Sequence, residues 1–202
     1  MNLTFDAAKH EYRLDGAVVP SVTQVLAPLY DFDRIPADVL ERKRQIGKAL
    51  DDLIELDLRD DLDESSIDPA LDGYFKAWRL FSKEKRVSVL ELQKPVFSKT
   101  FRFAGTPDFW GTLDDHAALV DWKCTADMHP AVALQTAGYE LAGEESIVGW
   151  PRGIRRYGVQ FKPDGTYAIT QYIDKQDRGT FLSLLSLQNW KARNGLLTKE
   201  KQ

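Results

Sequence analysis

The sequence predicts an α/β fold: a central mixed β-sheet flanked by helices, with an N-terminal hairpin and helices ahead of it. Three observations carry this expectation. Leu71, Tyr74, Phe75, Trp78 and Phe81 recur at helical spacing and form one apolar stripe. From Val87 the period becomes strand-like, through 87–97, 101–113 and 117–123, with Asp114-Asp115-His116 as a polar turn. A second strand pair, 157–161 and 167–172, encloses Pro163-Asp164-Gly165. Helices, strands, a helix, strands and a helix, in that order, suit a mixed sheet covered on its faces.

The elements follow in chain order. Leu3-Thr4-Phe5 and Tyr12-Arg13-Leu14 read as a hairpin, and Asp15-Gly16 is a strong turn signal. Pro20-Ser21-Val22-Thr23 opens a short helix through Val25, Leu26 and Leu29, with Ser21 as N-cap. A longer helix starts near Pro36, a good first-turn residue, and runs through Leu40, Ile46, Leu50, Leu53 and Ile54. The acidic run Asp51, Asp52, Glu55, Asp57, Asp60, Asp61, Asp63 and Glu64 reads as a solvated face and a loop. Asp68 caps the aromatic-striped helix, with Pro69 in its first turn. Pro130 begins a further helix that Gly143 closes, and Phe181, Leu182, Leu185 and Trp190 mark a last amphipathic helix.

The 202 residues fit one domain, 1–202, better than two. With 43% hydrophobic and 29% charged residues the chain is expected to be globular and soluble. No apolar run approaches the roughly 20 residues of a membrane span, and Met1 to Asp6 lack the basic start and apolar core of a signal segment. The expected location is therefore cytoplasmic, the host cytoplasm if the protein is phage-encoded. Cys124 is the single cysteine, which excludes a disulfide framework and a cysteine-ligated iron–sulfur cluster. A net charge of −4 does not suit a protein that coats DNA without specificity. It leaves room for a nucleic-acid enzyme, because metal-binding carboxylates add negative charge that the cation inverts locally. Arg152, Arg155 and Arg156 cluster in sequence as a candidate basic patch. There is no Gly-rich phosphate loop, so any need for ATP falls to a partner.

The informative stretch is Gly105-Thr106-Pro107-Asp108, then Val120-Asp121-Trp122-Lys123, then Gln135 and Tyr139. Asp121 and Lys123 are two apart in a predicted strand and share a face, while Trp122 points to the other. A two- or four-residue turn centred on Asp115-His116 sets Asp108 opposite Lys123, with Asp121 diagonal to it on the same face. A three-residue turn would separate them onto opposite faces. Two close carboxylates repel unless a proton or cation lies between them. Hard oxygen ligands with open water positions favour Mg²⁺ or Mn²⁺, and the backbone carbonyl of Trp122 is a further candidate ligand. Such an ion can activate water, and Lys123 can stabilise charge on an attacked phosphate. The plainer reading of Asp121 and Lys123 is a strand salt bridge, and the Asp-x-Lys triplet alone does not decide between them. Gln135 and Tyr139 share a helix face. Packing through Leu134, Ala137 and Leu141 would leave amide and phenol free for phosphate or base contacts, and a capped surface helix with a half-buried tyrosine is the alternative.

Together these residues resemble the PD-(D/E)XK phosphodiesterase superfamily, and within it the RecB-like and phage exonuclease-like branch. The matching pieces are Gly105 to Asp108, Asp121 to Lys123, Gln135 with Tyr139, and the earlier Pro20-Ser21-Val22-Thr23. The resemblance spans roughly Pro20 to Leu141. It implies a restriction-endonuclease-like core, a divalent metal and hydrolysis of DNA phosphodiester bonds. By it, Asp108 and Asp121 would be metal ligands, Lys123 the catalytic lysine, and Gln135 and Tyr139 substrate-binding residues. Glu91 stands where the branch often has a further acidic residue; an exposed strand glutamate is the alternative. The branch often carries Gly-x-x-x-His in its early helix, whereas here Gly47 is followed at that spacing by Asp51. An aspartate there is a candidate ligand for a hard cation, and it leaves the number of metals open. His10, His116 and His129 have no zinc-like spacing and read as incidental. The functional expectation is a DNA exonuclease in phage or bacterial recombination or repair. It would work on DNA, with a recombination or single-strand annealing protein as a candidate partner and an oligomer compatible with the sequence. A structure-specific endonuclease and a non-catalytic DNA-binding module are the competing readings. Trp190, Arg193 and the Lys-rich tail read as a solvated end, with contact to DNA or a partner as the alternative.

Overall fold

The computed structural model describes residues 2–31 and 35–196. Five strands form the central sheet: β4 (Ser88–Leu92), β7 (Phe109–Leu113), β8 (His116–Lys123), β9 (Arg155–Phe161) and β10 (Tyr167–Tyr172), in the order β10-β9-β8-β7-β4. The β8–β9 pair is parallel and the other pairs are antiparallel, so the sheet is mixed as the element order predicts. A parallel pair needs a long crossover, and α4 (Ala131–Ser146) supplies it between β8 and β9.

Alternation along β7 and β8 divides the core in two. Phe109, Leu113, Ala118, Val120 and Trp122 pack with Val159 and Phe161 against α2 (Ala37–Leu58) and α3 (Asp72–Glu84). Trp110 and Leu119, on the opposite face, pack against α1 (Val22–Leu26), α4 and α5 (Gln176–Arg193). The aromatic stripe of α3 is core as expected: Tyr74, Phe75, Trp78 and Phe81 are buried. The bent acidic segment is less bland than expected. Asp57 accepts hydrogen bonds from Trp78 Nε1 (2.8 Å) and Arg79, tying α2 to α3.

Several local expectations change. The N-terminal hairpin is a three-stranded sheet, β1 (Leu3–Asp6), β2 (Glu11–Leu14) and β3 (Ala17–Val19), in which Asp15-Gly16 turns β2 into β3. Ser21 does cap α1, with a reciprocal capping box through Gln24. Pro36 is the N-cap of α2 and not its first helical residue. Asp68 holds a turn before α3 by accepting from Ala70 N, and the helix itself starts at Asp72. Helix α4 does not end at Gly143. It runs to Ser146, and the glycine seats the Trp150 ring, which a Cβ would meet at 2.4 Å. The predicted strand 101–113 is two: β6 (Phe103–Gly105), paired with β5 (Val96–Ser98) in a separate ribbon, and β7. Pro107 lacks an amide donor and falls in the break between them. The sequence-adjacent arginines do not form a basic patch, because Arg156 turns inward to Asp177 (2.8 Å) and Glu140 (3.4 Å). No helix among the described residues is long and apolar enough to cross a membrane.

Candidate active site

The break between β6 and β7 places Asp108 at the mouth of the sheet. Asp114 and Asp115 form a two-residue turn with φ of 49° and 65°, and Leu113 pairs with His116. The turn is therefore centred one residue earlier than the sequence reading had it. Phe109 pairs with Val120, and continuing that register puts Asp108 across from Asp121 instead of Lys123. A shift of two in partner preserves the face, so the predicted sharing of one face survives the corrected register.

Trp122 fastens two carboxylates. Its backbone amide donates to Asp108 Oδ2 at 2.6 Å, and its indole Nε1 donates to Asp51 Oδ1 at 2.8 Å. The carbonyl of an extended residue leaves the strand on the same side as its amide, so the Trp122 carbonyl also faces the Asp108 side. Asp121 is buried, and Gln135 Nε2 donates to its Oδ1 at 2.8 Å and to Tyr139 Oη at 3.0 Å. Asp121 Oδ2 lies 2.5 Å from Lys123 Nζ in a buried ion pair. The Lys123 side chain keeps 29% of its surface accessible and Asp121 only 2%, so the lysine is the more open side of the pair.

Tight packing fixes these positions. A Cβ on Gly105 would stand 2.6 Å from the Tyr139 ring, so this glycine lets α4 close onto the strand. Thr106 hydrogen-bonds Tyr12 Oη at 2.7 Å and anchors the Gly105–Asp108 segment to the N-terminal sheet. Gln135 and Tyr139 are buried. Leu134 and Leu141 are only partly so, which corrects the expectation that they would shield the helix and leave amide and phenol free. The buried face of α4 passes through Gln135 and Tyr139, with Gln135 committed to Asp121 and Tyr139 to Gln135. Gln135→Leu would leave Asp121 Oδ1 and the phenol without this donor. The expected cost is about 1–3 kcal/mol, measured by urea unfolding. If Gln135 acts by orienting Asp121, kcat falls with KM nearly unchanged; a rise in KM alone would mean direct substrate contact.

The electrostatics follow from burial of like charges. Burial raises the Asp51 carboxyl to about 6, against the opposing effects of the Trp122 hydrogen bond and Lys123. Burial and then the Asp121 charge push Asp108 well above the usual carboxylate range. Asp121 is also raised by burial, with Lys123 opposing. The neighbouring carboxylates outweigh burial at Lys123 and hold it protonated. Two tyrosines unmarked by any sequence periodicity stand at the rim. Tyr30 stacks on His129 with centroids 4.3 Å apart and feels both Lys123 and Asp121. The Tyr172 hydroxyl covers Gly158, the cross-strand partner of Asp121, and burial pushes it up to about 12. His129, read as incidental, also accepts from Ala131 N at the start of α4.

Glu91 does not join the cluster. It pairs with Trp110 across a β-bulge, forms an ion pair with Lys94, and lines a surface groove with Glu55, Leu58 and Arg59. Asp51 does join it, from α2, on the far side of Trp122. Among the described residues no group of three or more His, Cys, Asp or Glu side chains is gathered closely enough to hold a metal ion. A divalent ion would instead have two carboxylates, Asp108 and Asp121, with the Trp122 carbonyl. Those hard oxygens fit Mg²⁺ or Mn²⁺ in kind, and two buried carboxylates whose charges oppose each other are a pair that such a cation would stabilise.

No family model matches the chain, and no curated protein matches it. The chain is similar to two solved structures of alkaline exonucleases. One is an alkaline exonuclease (LHK-Exo) from Laribacter hongkongensis, at 15% identity and a TM-score of 0.35, covering 59% of this chain and 68% of that one. The other is LHK-Exo in complex with dAMP, at 14% identity and a TM-score of 0.39, covering 89% of this chain and 95% of that one. At these TM-scores the likeness carries no inference about chemistry, and the site rests on its own geometry.

Proposed function

We propose that this protein is a divalent-metal-dependent DNA phosphodiesterase, acting as an exonuclease in phage or bacterial DNA recombination or repair. One observation carries the reading: Asp108, Asp121 and Lys123 converge at the sheet end, with Asp51 held next to them. Structural salt bridges do not need three mutually repelling carboxylates around one lysine, and such a grouping marks functional sites. In this reading Mg²⁺ or Mn²⁺ supplies Lewis acidity and an activated water. Asp108, Asp121 and the Trp122 carbonyl would hold it, with Asp51 on hand for the ion or its water. Gln135 orients Asp121, and the Trp122 amide orients Asp108. Lys123 would present its ammonium to the attacked phosphate, where negative charge grows in the transition state. DNA as substrate, and exonuclease over endonuclease, rest on the resemblance of the motifs.

A second reading, a non-catalytic DNA-binding module, draws on the absence of a gathered three-ligand metal group among the described residues. The two separate cleanly. End-labelled linear DNA and closed circular DNA are incubated with Mg²⁺, Mn²⁺ or chelator, alongside Asp108→Asn. Metal-dependent loss of linear DNA only, absent in the variant, is the expected result. Cutting of the circle would make the enzyme an endonuclease. Folded protein that binds DNA and cuts neither substrate in either metal would establish the binding module.

A further inference from the structure

We infer that the first half of α2 guides the phosphodiester backbone of DNA to the carboxylate cluster, with Lys43 contacting a phosphate and Gly47 giving the backbone room. This rests on the proposed function and adds a substrate-binding surface to it. Helix α2 has 22 residues, yet its buried residues, Leu50 and Ile54, both lie in its second half. The Asp51–Trp122 hydrogen bond fixes which side of the helix meets the cluster. Gly47 lies one turn before Asp51, and Lys43 one turn before Gly47, on a slowly turning stripe.

Gly47 has no packing reason to be glycine. A Cβ there meets nothing within 4 Å. The glycines of α3 and α4 differ: a Cβ would strike Pro163 at Gly73, Phe181 at Gly138 and Trp150 at Gly143. Gly179 is also open, but it sits in the first turn of α5. A mid-helix glycine weakens the helix, and what it offers in return is close approach to bare backbone. Nothing among the described residues uses that approach.

The charge points to the same ligand. Arg42, Lys43, Arg44 and Lys48 fall within a stretch that has no acid, in a chain of net charge −4. Among the described residues, Arg44 alone of the four has an ion pair, an exposed one to Glu41 at 3.9 Å. Lys43 is near enough to the strand end for its charge to act on Cys124, next to Lys123. A cluster of carboxylates repels an approaching phosphate, and a row of cations beside it offsets that repulsion. Lys43 stands about 12 Å along the helix from Asp51, the axial length of roughly three to four nucleotides of one duplex strand.

Binding of a fluorescein-labelled duplex, and of its separated strand, is measured by anisotropy in chelator over a range of salt concentrations. Gly47→Leu should fold with an unchanged or raised Tm and lose affinity by about tenfold, because a side chain fills the path while the helix gains propensity. Lys43→Ala should lower the slope of log affinity against log salt by about 0.9 for duplex or 0.7 for single strand, one phosphate contact. Lys76→Ala, an exposed α3 lysine paired with Asp72, serves as control and should match wild type. Wild-type affinity and slope in both α2 variants would overturn the inference even if the protein cuts DNA. Wild-type protein that binds DNA in chelator and cuts none in Mg²⁺ or Mn²⁺ would sink the nuclease reading alone, with the α2 path still decided by the variants. No DNA binding at all would sink both.

Discussion

Lys123→Ala is expected to reduce phosphodiester cleavage by a factor of at least about 10²–10³, the range seen when one preorganised stabiliser of transition-state charge is removed. The same substitution strips Asp121 of its cation while leaving the carboxylate 2% accessible. Breaking a fully buried ion pair costs about 3–5 kcal/mol. The cost here should be smaller, because Lys123 remains reachable by water and Asp121 can take up a proton instead. Asp121→Asn on top of Lys123→Ala removes the stranded charge while keeping the acceptor for Gln135. The double variant should therefore regain stability in urea unfolding and regain no activity. Lys123→Arg should not rescue activity, since a planar fork does not replace a point charge at the end of a flexible stem. Retained cleavage in Lys123→Ala, with loss of stability alone, would reduce Lys123 to the ordinary strand salt bridge that its spacing to Asp121 also permits.

The second large effect is on stability as a function of pH. Asp51 is raised from 3.8 to about 6, and Asp108 and Asp121 are also raised. A carboxyl whose folded pKa exceeds its unfolded one keeps its proton longer in the native state. Its stabilising contribution is complete below the unfolded value and is lost as pH rises through the folded one. For Asp51 the window runs from 3.8 to about 6, and the shift corresponds to roughly 3 kcal/mol. Asp108 carries the loss to higher pH. Asp51→Asn is neutral throughout, so in chelator its Tm should gain on wild type as pH rises through the window. At roughly 2–4 °C per kcal/mol for a chain of this size, the gain is readily measured. Mg²⁺ or Mn²⁺ added near neutral pH should raise the Tm of wild type more than that of Asp108→Asn, because a cation at the cluster stabilises the ionised carboxylates. A Tm difference between wild type and Asp51→Asn that does not move with pH would show that the carboxylates are not electrostatically linked to folding.

The two effects share a cause. The cluster gathers like charges where water is scarce, which weakens the fold and, in the proposed reading, is what a divalent cation would relieve. Asp108→Asn keeps the acceptor for the Trp122 amide, so it should trade activity for stability, as substitutions that relieve a strained functional site commonly do.

The sequence by itself determined the layers and the parity of the site. Helical and strand periods are local properties, so the aromatic face of α3, the hairpin β9–β10 and the crossover helix α4 were legible from residue spacing. Asp121 and Lys123 had to share a face because side chains alternate along any strand. Asp108 had to join them once the turn held an even number of residues. Tertiary structure decided what spacing cannot. The turn could be placed one residue either way, since Asp114, Asp115 and His116 are all acceptable turn residues, and only pairing across β7 and β8 chose Asp114-Asp115. Asp57 looked like the rest of an acidic run until Trp78, distant in the chain, brought an indole donor to it, and Asp51, singled out by its spacing from Gly47, found its partner only in the Trp122 indole. Gln135 and Tyr139 looked free to meet a substrate until the close approach of α4 to Gly105 buried both. Hydrogen-bond partners and burial depend on what arrives from elsewhere in the chain, and a one-dimensional pattern records only what each element brings to the meeting.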